Sequence, residues 1–421
     1  MLTITHQSKI IQTQIDLPAS KSISNRLLII QYLMNQSFII QNLSNCEDTQ
    51  NLKQAIASIK AGVNEEKANP QIIDIGEAGT SYRFLTALLA VIPGKFILTG
   101  SSKLLERPIL PLVNALNQLG AHIKFKGNNH TGPLLIEEGE ITGGEISLEA
   151  DISSQFITAL MLVAPYFKNG LTIHLKGKIV SSAYLHLTMA LMKNFGANIT
   201  LSEGTIRIQN QPYVAIVNHY YVESDWTAAS YWYAMAVLSK ESQIFLKGLQ
   251  KNSLQGDSIA ASLFSIYGIK SDFFDEGVLI TKTAHQGFIH IFDFIDQPDL
   301  VQTFSFLNAA LNQPLHVNNA ANLIYKETNR IEALSKELFK IGVNLRCSNN
   351  DHFVLEPGQI DDPPNLEFET YNDHRMAMAA SILAMNFSDI KIHHPEVVAK
   401  SYPDYWNHMS GAGFKITKSL S

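Results

Sequence analysis

The chain has 421 residues, 46% hydrophobic and 17% charged, with a formal net charge of −6. That length predicts about two or three domains, and the apolar content excludes a disordered chain. The acidic balance excludes nucleic acid as the partner, because phosphate-backbone binding needs a basic face. Cys46 and Cys347 are too few for a disulfide framework and suit a reducing compartment. The longest nearly uncharged apolar stretches, 84–94 and 226–238, are too short to span a bilayer. The N-terminus lacks the apolar core of a signal peptide. A cytoplasmic enzyme of small molecules, with no membrane partner, is the expectation.

In chain order, MLTITHQSKIIQTQI alternates like a strand that Pro18 ends. LPASKSISNR (17–26) opens a helix that Ser20, Ser22 or Ser24 can cap. Lys21, Ser22 and Arg26 cluster near its N-terminus, where backbone N–H groups and the dipole also favour an anion. GEAGTSYR (76–83) repeats the design, with Thr80 or Ser81 as cap and Arg83 on the first turn. Gly79 there either lets backbone approach a ligand or serves a plain turn, and neither a dinucleotide fingerprint nor a P-loop is present. LLERPI (104–109) supplies Arg107. DISSQFITALMLVAP (151–165) sets Ser153, Ser154 and Gln155 ahead of an apolar helix, as caps or as partners for hydroxyls and phosphate oxygens.

Asp225 in SDWTAASYW and Asp299 in QPDLVQTF both stand where an N-cap falls. Facing a basic cluster, such a carboxylate can instead accept a proton. In KETNR (326–330), a helix would put Lys326, Glu327 and Arg330 on one edge, and an exposed salt-bridged face is the bland alternative. In YNDHRMAM (371–378), a cap-like Asn372–Asp373 pair precedes Arg375 at the mouth of a buried helix. An arginine there needs an anion or a carboxylate. Lys400 follows in VVAKSYPDYW.

Five of the seven arginines lie in these knots, against 25 lysines in the chain. A guanidinium grips carboxylate or phosphate through two parallel bonds. The pattern predicts a site for small, multiply anionic ligands, assembled from segments scattered over the chain.

One phrase recurs six times: an amphipathic helix, a glycine, a small apolar residue, then a strand. Its glycines are Gly62, Gly120, Gly196, Gly268, Gly342 and Gly413, spaced 58 to 76 residues apart. Glycine at such a position accepts left-handed dihedrals without steric cost. Runs such as KFILTG (95–100), LTIHLKG (171–177), SQIFLKG (242–248) and VLITKT (278–283) read as strands. Six copies of an α/β unit, grouped three and three in two similar lobes with a cleft between them, are predicted.

LPASKSISNR, AGTSYR, ERPI, SSQFITALM, VSSAYL, SDWTAASYW, QPD, KETNR, YNDHRMAM and AKSYPDY together resemble the 3-phosphoshikimate 1-carboxyvinyltransferase (EPSP synthase) family, in the family's own order over about residues 17–406. The resemblance implies an inside-out α/β barrel in each lobe, with 20–223 as one lobe and 1–19 plus 224–421 as the other. It implies transfer of the enolpyruvyl group of phosphoenolpyruvate to the 5-hydroxyl of shikimate 3-phosphate, without metal or organic cofactor; a monomer is the expectation, because such a site needs only one chain. Shikimate 3-phosphate would be held by Lys21, Ser22, Arg26, Ser153, Ser154, Gln155, Ser181, Asp299, Asn322 and Lys326, with Tyr184 against its ring. Phosphoenolpyruvate would be held by Lys21, Gly79, Arg107, Gln155, Arg330, Arg375 and Lys400. Asp299, assisted by Lys21, would take the hydroxyl proton, and Glu327 or Lys400 would protonate the methylene carbon.

The chain departs from the family pattern at Glu77 (usually Asn), Phe84 (usually Pro) and Asn329 (usually Asp). Retention of Gly79 implies inhibition by glyphosate. The rival expectations are a UDP-N-acetylglucosamine enolpyruvyl transferase, which relies on a loop cysteine, and a non-catalytic anion-binding relative.

Overall fold

The computed structural model describes residues 1–34, 38–62, 69–128, 130–151, 153–216, 218–285, 287–349, 351–359 and 366–418. It divides into two compact units: Ser20–Val222, and Met1–Ala19 together with Glu223–Ser421. The first unit carries α1 (Lys21–Leu33), α2 (Glu47–Gly62), α3 (Gly79–Ala90), α4 (Ser102–Leu105), α5 (Leu110–Gln118), α6 (Ser154–Val163) and α7 (Ser182–Asn194). The second carries α8 (Trp226–Leu238), α9 (Ala260–Ile266), α10 (Val301–Ala310), α11 (Arg330–Phe339), α12 (His374–Ser381) and α13 (Tyr405–Gly411).

Within each unit the helices are central and the sheets lie outside. All of α10 and α12 is buried, and α8 buries every residue from Trp226 to Val237. Buried on all sides, these helices carry almost no charge: α8 and α10 have no charged residue, and α12 has Arg375 at its first turn. Strands instead alternate, as Lys95–Thr99 and Glu241–Lys247 do, and so bury only one face.

Five four-stranded sheets share one pattern: a parallel pair, then two antiparallel neighbours. In one, Gln71–Asp74 runs parallel to Lys95–Thr99, which pairs antiparallel with Leu134–Glu137, itself antiparallel to His122–Phe125. A helix returns the chain between the parallel strands and the glycine-capped helix leads into the hairpin. The sixth copy, around α1 and α2, shows only the parallel pair His219–Tyr221 and Ile39–Gln41 among the described residues. That explains the short first interval of the glycine repeat.

The predicted strands at 95–100, 171–177, 242–248 and 278–283 are all present. Gly120, Gly196, Gly268, Gly342 and Gly413 take the left-handed conformation. Gly62 does not: it is the last residue of α2 and has no positive φ, and the strand expected after it lies at 63–68, outside the described residues. The N-terminal run is two strands rather than one. Leu2–Thr5 and Ile10–Asp16 belong to different sheets, separated by a turn in which Lys9 has φ 56°.

Candidate active site

In the unit Ser20–Val222, the first turns of four helices meet. Ser20 is the cap of α1, accepting from Ile23 N, while Ser24 Oγ accepts from Ser44 N at 3.0 Å. Lys21 Nζ pairs with Asp48 Oδ2 of α2 at 2.9 Å, and Ser81 Oγ of α3 donates to the Asp48 carbonyl at 3.3 Å. Gln155 Nε2 of α6 donates to Thr80 Oγ1 at 3.3 Å, and Ser153 caps α6 through Gln155 N. Lys21, Ser22, Gly79, Ser153, Ser154 and Gln155 are thus brought to one end of one helical bundle.

Thr80 and Ser81 do not cap α3; its cap position is Ala78, which offers no side-chain acceptor. The first N–H groups of α3 therefore keep the positive end of the helix available to an anion. Gly79 is an ordinary helical residue, so neither a turn nor a strained backbone explains it. Space does: a Cβ there would stand 2.5 Å from Arg107 Nη1 and 3.0 Å from Arg83 Nη1. Arg83 is fixed by donating to the carbonyls of Gly79 and Pro108, each at 2.9 Å.

Arg26 is buried and donates to Thr188 Oγ1 (2.7 Å), the Ser22 carbonyl (2.8 Å) and the Tyr184 carbonyl (3.5 Å). The rings of Phe84 and Tyr184 flank its guanidinium at 5.5 and 5.8 Å. Burial lowers its pKa to about 10. Among the described residues no carboxylate is its partner, and the buried charge is met there by neutral groups and π-faces. Ser181, at the start of α7, is buried in the left-handed conformation without capping, at a cost of roughly 1–2 kcal/mol for a residue with a Cβ.

In the other unit the charges are paired. Arg330, 1% exposed, donates from Nε to Asp373 Oδ2 (2.8 Å), from Nη1 to Asp299 Oδ1 (3.1 Å) and from Nη2 to Glu327 Oε2 (2.9 Å). Those three carboxylates raise its pKa against the opposing effect of burial. Asp299 Oδ2 accepts from Arg375 Nη2 at 2.7 Å, so one carboxylate bridges two guanidinium groups. Lys326 lies half-buried beside them, and desolvation lowers its pKa while Asp299 and Glu327 oppose the shift. Lys400 Nζ donates to the Asn372 carbonyl at 3.0 Å. Asn322 is 6% exposed, and its Oδ1 has no hydrogen-bond partner among the described residues.

Several local expectations need correction. Asp299 is not a cap: α10 begins at Val301 after Leu300, and Asp299 faces the arginines. Asp225 is a cap, accepting from Ala228 N at 3.0 Å. Lys326 and Glu327 are not on a helix with Arg330, because Asn329 caps α11 and Arg330 is its first residue. The ion pair of Glu327 and Arg330 forms all the same, with the arginine buried and the glutamate half-buried rather than on an exposed salt-bridged face. Asp373 caps α12 through Arg375 N as well as binding Arg330; of the Asn372–Asp373 pair it alone caps.

Sequence reasoning missed Asp48, Phe84, Thr188 and Asp373 as supports of the charged residues. For Asp373 a signal existed: a buried arginine demands a carboxylate, and the cap of α12 is one.

These two internally repeated α/β units, each gathering cationic side chains at helix ends, define a class of protein built to take small polyanions. The family model described as EPSP synthase (3-phosphoshikimate 1-carboxyvinyltransferase) matches residues 5–409. The chain belongs to that family. It is 43% identical over 407 residues to a 3-phosphoshikimate 1-carboxyvinyltransferase of Bacteroides fragilis, covering 96% of both chains. It is 32% identical to one of Pseudoalteromonas translucida, covering 93% of this chain and 95% of the relative. The fold matches a solved EPSP synthase of Acinetobacter baumannii with TM-score 0.77 at 20% identity, covering all of both chains.

Proposed function

We propose that this chain transfers the enolpyruvyl group of phosphoenolpyruvate to the 5-hydroxyl of shikimate 3-phosphate, releasing phosphate. The observation that carries the reading is Asp299 bridging Arg330 and Arg375, with Lys326 and Glu327 beside it. A carboxylate has about four lone-pair positions. Each arginine donates to one oxygen of Asp299, which fixes the orientation of a carboxylate that can act as a proton acceptor.

Shikimate 3-phosphate is assigned to Lys21, Ser22, Arg26, Ser153, Ser154, Gln155, Ser181, Tyr184, Asp299, Asn322 and Lys326. The orphan Oδ1 of Asn322 suits a ligand hydroxyl, and buried Arg26 suits a phosphate. Phosphoenolpyruvate is assigned to Lys21, Gly79, Arg107, Gln155, Arg330, Arg375 and Lys400. Asp299, with Lys21 assisting, takes the proton as the 5-oxygen bonds to C2 of phosphoenolpyruvate, and Glu327 or Lys400 delivers a proton to C3. Loss of a C3 proton and departure of phosphate then restore the double bond. Preorganised charges of this kind stabilise what develops in the transition state.

The cysteines give the sugar-nucleotide transferase reading no support. Cys46 is fully buried with its Sγ 3.3 Å from Thr49 Oγ1, and Cys347 lies in an outer strand. A monomer in a reducing cytoplasm is the setting that suits two free thiols. The test is phosphate release from phosphoenolpyruvate with shikimate 3-phosphate or UDP-N-acetylglucosamine as acceptor, with the product identified by mass spectrometry. Release that depends on shikimate 3-phosphate is expected; release with the sugar nucleotide alone would overturn the reading.

A further inference from the structure

One buried carboxyl has no part in these roles. Asp257 lies in the turn Gly256–Ile259 leading into α9 and is 5% exposed. Its one side-chain hydrogen bond among the described residues is accepted from Thr227 Oγ1, and none of them forms an ion pair with it. The charged groups that face it are Asp299 before α10, Arg375 on α12 and Asp225 at the start of α8. The sequence of α9 (AASLFSI) contains no ionisable residue. Glu223 is engaged by Ser253 and by Gln255, two residues from Asp257.

Helix α8 sets the spacing. Thr227 and Tyr231 are i,i+4 neighbours on one face; Thr227 holds Asp257, and the Tyr231 hydroxyl faces Arg375. Asp257 and the Tyr231 hydroxyl thus both lie within electrostatic reach of the guanidinium that clamps Asp299. Fully ionised, Asp225, Asp257, Asp299, Glu327 and Asp373 would outnumber Lys326, Arg330, Arg375 and Lys400 by one. Ionised, Asp257 would add negative charge beside Arg375 and weaken the pull of that guanidinium on a phosphate ester.

We propose that Asp257 is a positioning residue held as the neutral acid, which leaves the charge of Arg375 available to phosphoenolpyruvate, and that its ionisation at rising pH weakens that binding. The proposal rests on the assignment of Arg375 to phosphoenolpyruvate made above. Burial, with the neighbouring charge of Asp299, pushes the Asp257 pKa up to about 7, against the opposing hydrogen bond from Thr227.

Two measurements test it on the full chain. The KM for phosphoenolpyruvate is followed from about pH 5.5 to about pH 8.5 in wild type, Asp257→Asn and Thr227→Val at fixed ionic strength; ionisation of the substrate is common to all three and cancels in the ratios. The ratio of wild-type to Asp257→Asn KM should rise about 5- to 10-fold across that range. Thr227→Val, which withdraws a hydrogen bond from the ionised form, should move the inflection to higher pH, and it carries the comparison if Asp257→Asn does not fold. A flat ratio in active enzymes overturns the proposal alone. Thermal unfolding of the substrate-free proteins reads the protonation independently. A folded-state pKa raised from 3.8 to about 7 makes wild-type stability fall as pH rises through that window, and Asp257→Asn should lack that fall. Equal slopes overturn the neutral acid. The expected unfolding difference without any phosphoenolpyruvate-dependent turnover overturns the functional reading, and the affinity claim with it.

Discussion

Arg330 is surrounded by Asp299, Glu327 and Asp373, and its own burial is nearly complete. Removing one member of such a group leaves buried charge uncompensated. Arg330→Leu should cost about 3–5 kcal/mol of stability, read from urea unfolding, besides abolishing turnover. Asp373→Asn is the finer probe: Asn caps a helix as well as Asp, so a loss of activity would report the lost charge rather than the lost cap. On the other unit, Phe84 is one of the departures from the family pattern, and its ring lies 5.5 Å from the Arg26 guanidinium. Phe84→Leu keeps the core filled and removes the π-face. It should raise the KM for shikimate 3-phosphate about 3- to 10-fold, and an unchanged KM would show that the Thr188 and backbone bonds suffice. Glu77 is exposed in the turn before α3. Solvent screens such a charge, so Glu77→Asn should change the KM for phosphoenolpyruvate less than about threefold. Asn329 is accounted for as the α11 cap.

Helix starts decide where the charges go. The uncapped first turn of α3 stands beside Arg83 and Arg107, and Gly79 keeps their room open. Gly79→Ala must displace Arg107 Nη1. It should lower kcat/KM for phosphoenolpyruvate about 10- to 100-fold, the worth of one charge-assisted hydrogen bond, with little change in melting temperature. The helices and outer strands were legible because apolar runs and alternation are local signals. So were Lys21, Arg330, Arg375 and Asp299 as candidates, through the scarcity of arginine and the motif order. Which neighbour each would meet was not. Whether Asp299 or Leu300 caps α10, and whether a helix begins at Lys326 or Arg330, depends on which carboxylates the folded unit brings together. Spacing alone cannot decide between a cap and an ion pair, since Asp and Asn serve both.

In the unit formed by Met1–Ala19 and Glu223–Ser421, sheet formation joins the two ends of the chain. Leu2–Thr5 is an inner strand, flanked by Ile390–Ile392 and Lys415–Lys418. Ile10–Asp16 runs parallel to Glu241–Lys247. Deleting residues 1–5 would expose both flanking strands as open edges. That protein should lose cooperative thermal unfolding in this unit and become aggregation-prone, measured by calorimetry and soluble yield. The sequence showed an alternating N-terminal run but not its division, because alternation continues across the turn at Lys9 while the partners lie hundreds of residues away.

That pairing has a consequence for biosynthesis. The strand Leu2–Thr5 is completed by segments translated about 400 residues later. At roughly 5–20 residues per second, Leu2 and Ile4 wait for a time on the order of half a minute before their sheet can close, while Ser20–Val222 emerges in one uninterrupted piece. The growing chain therefore carries this strand without its partners while about 400 residues are added, and any factor that shields it over that interval will set how much of this protein reaches its working form.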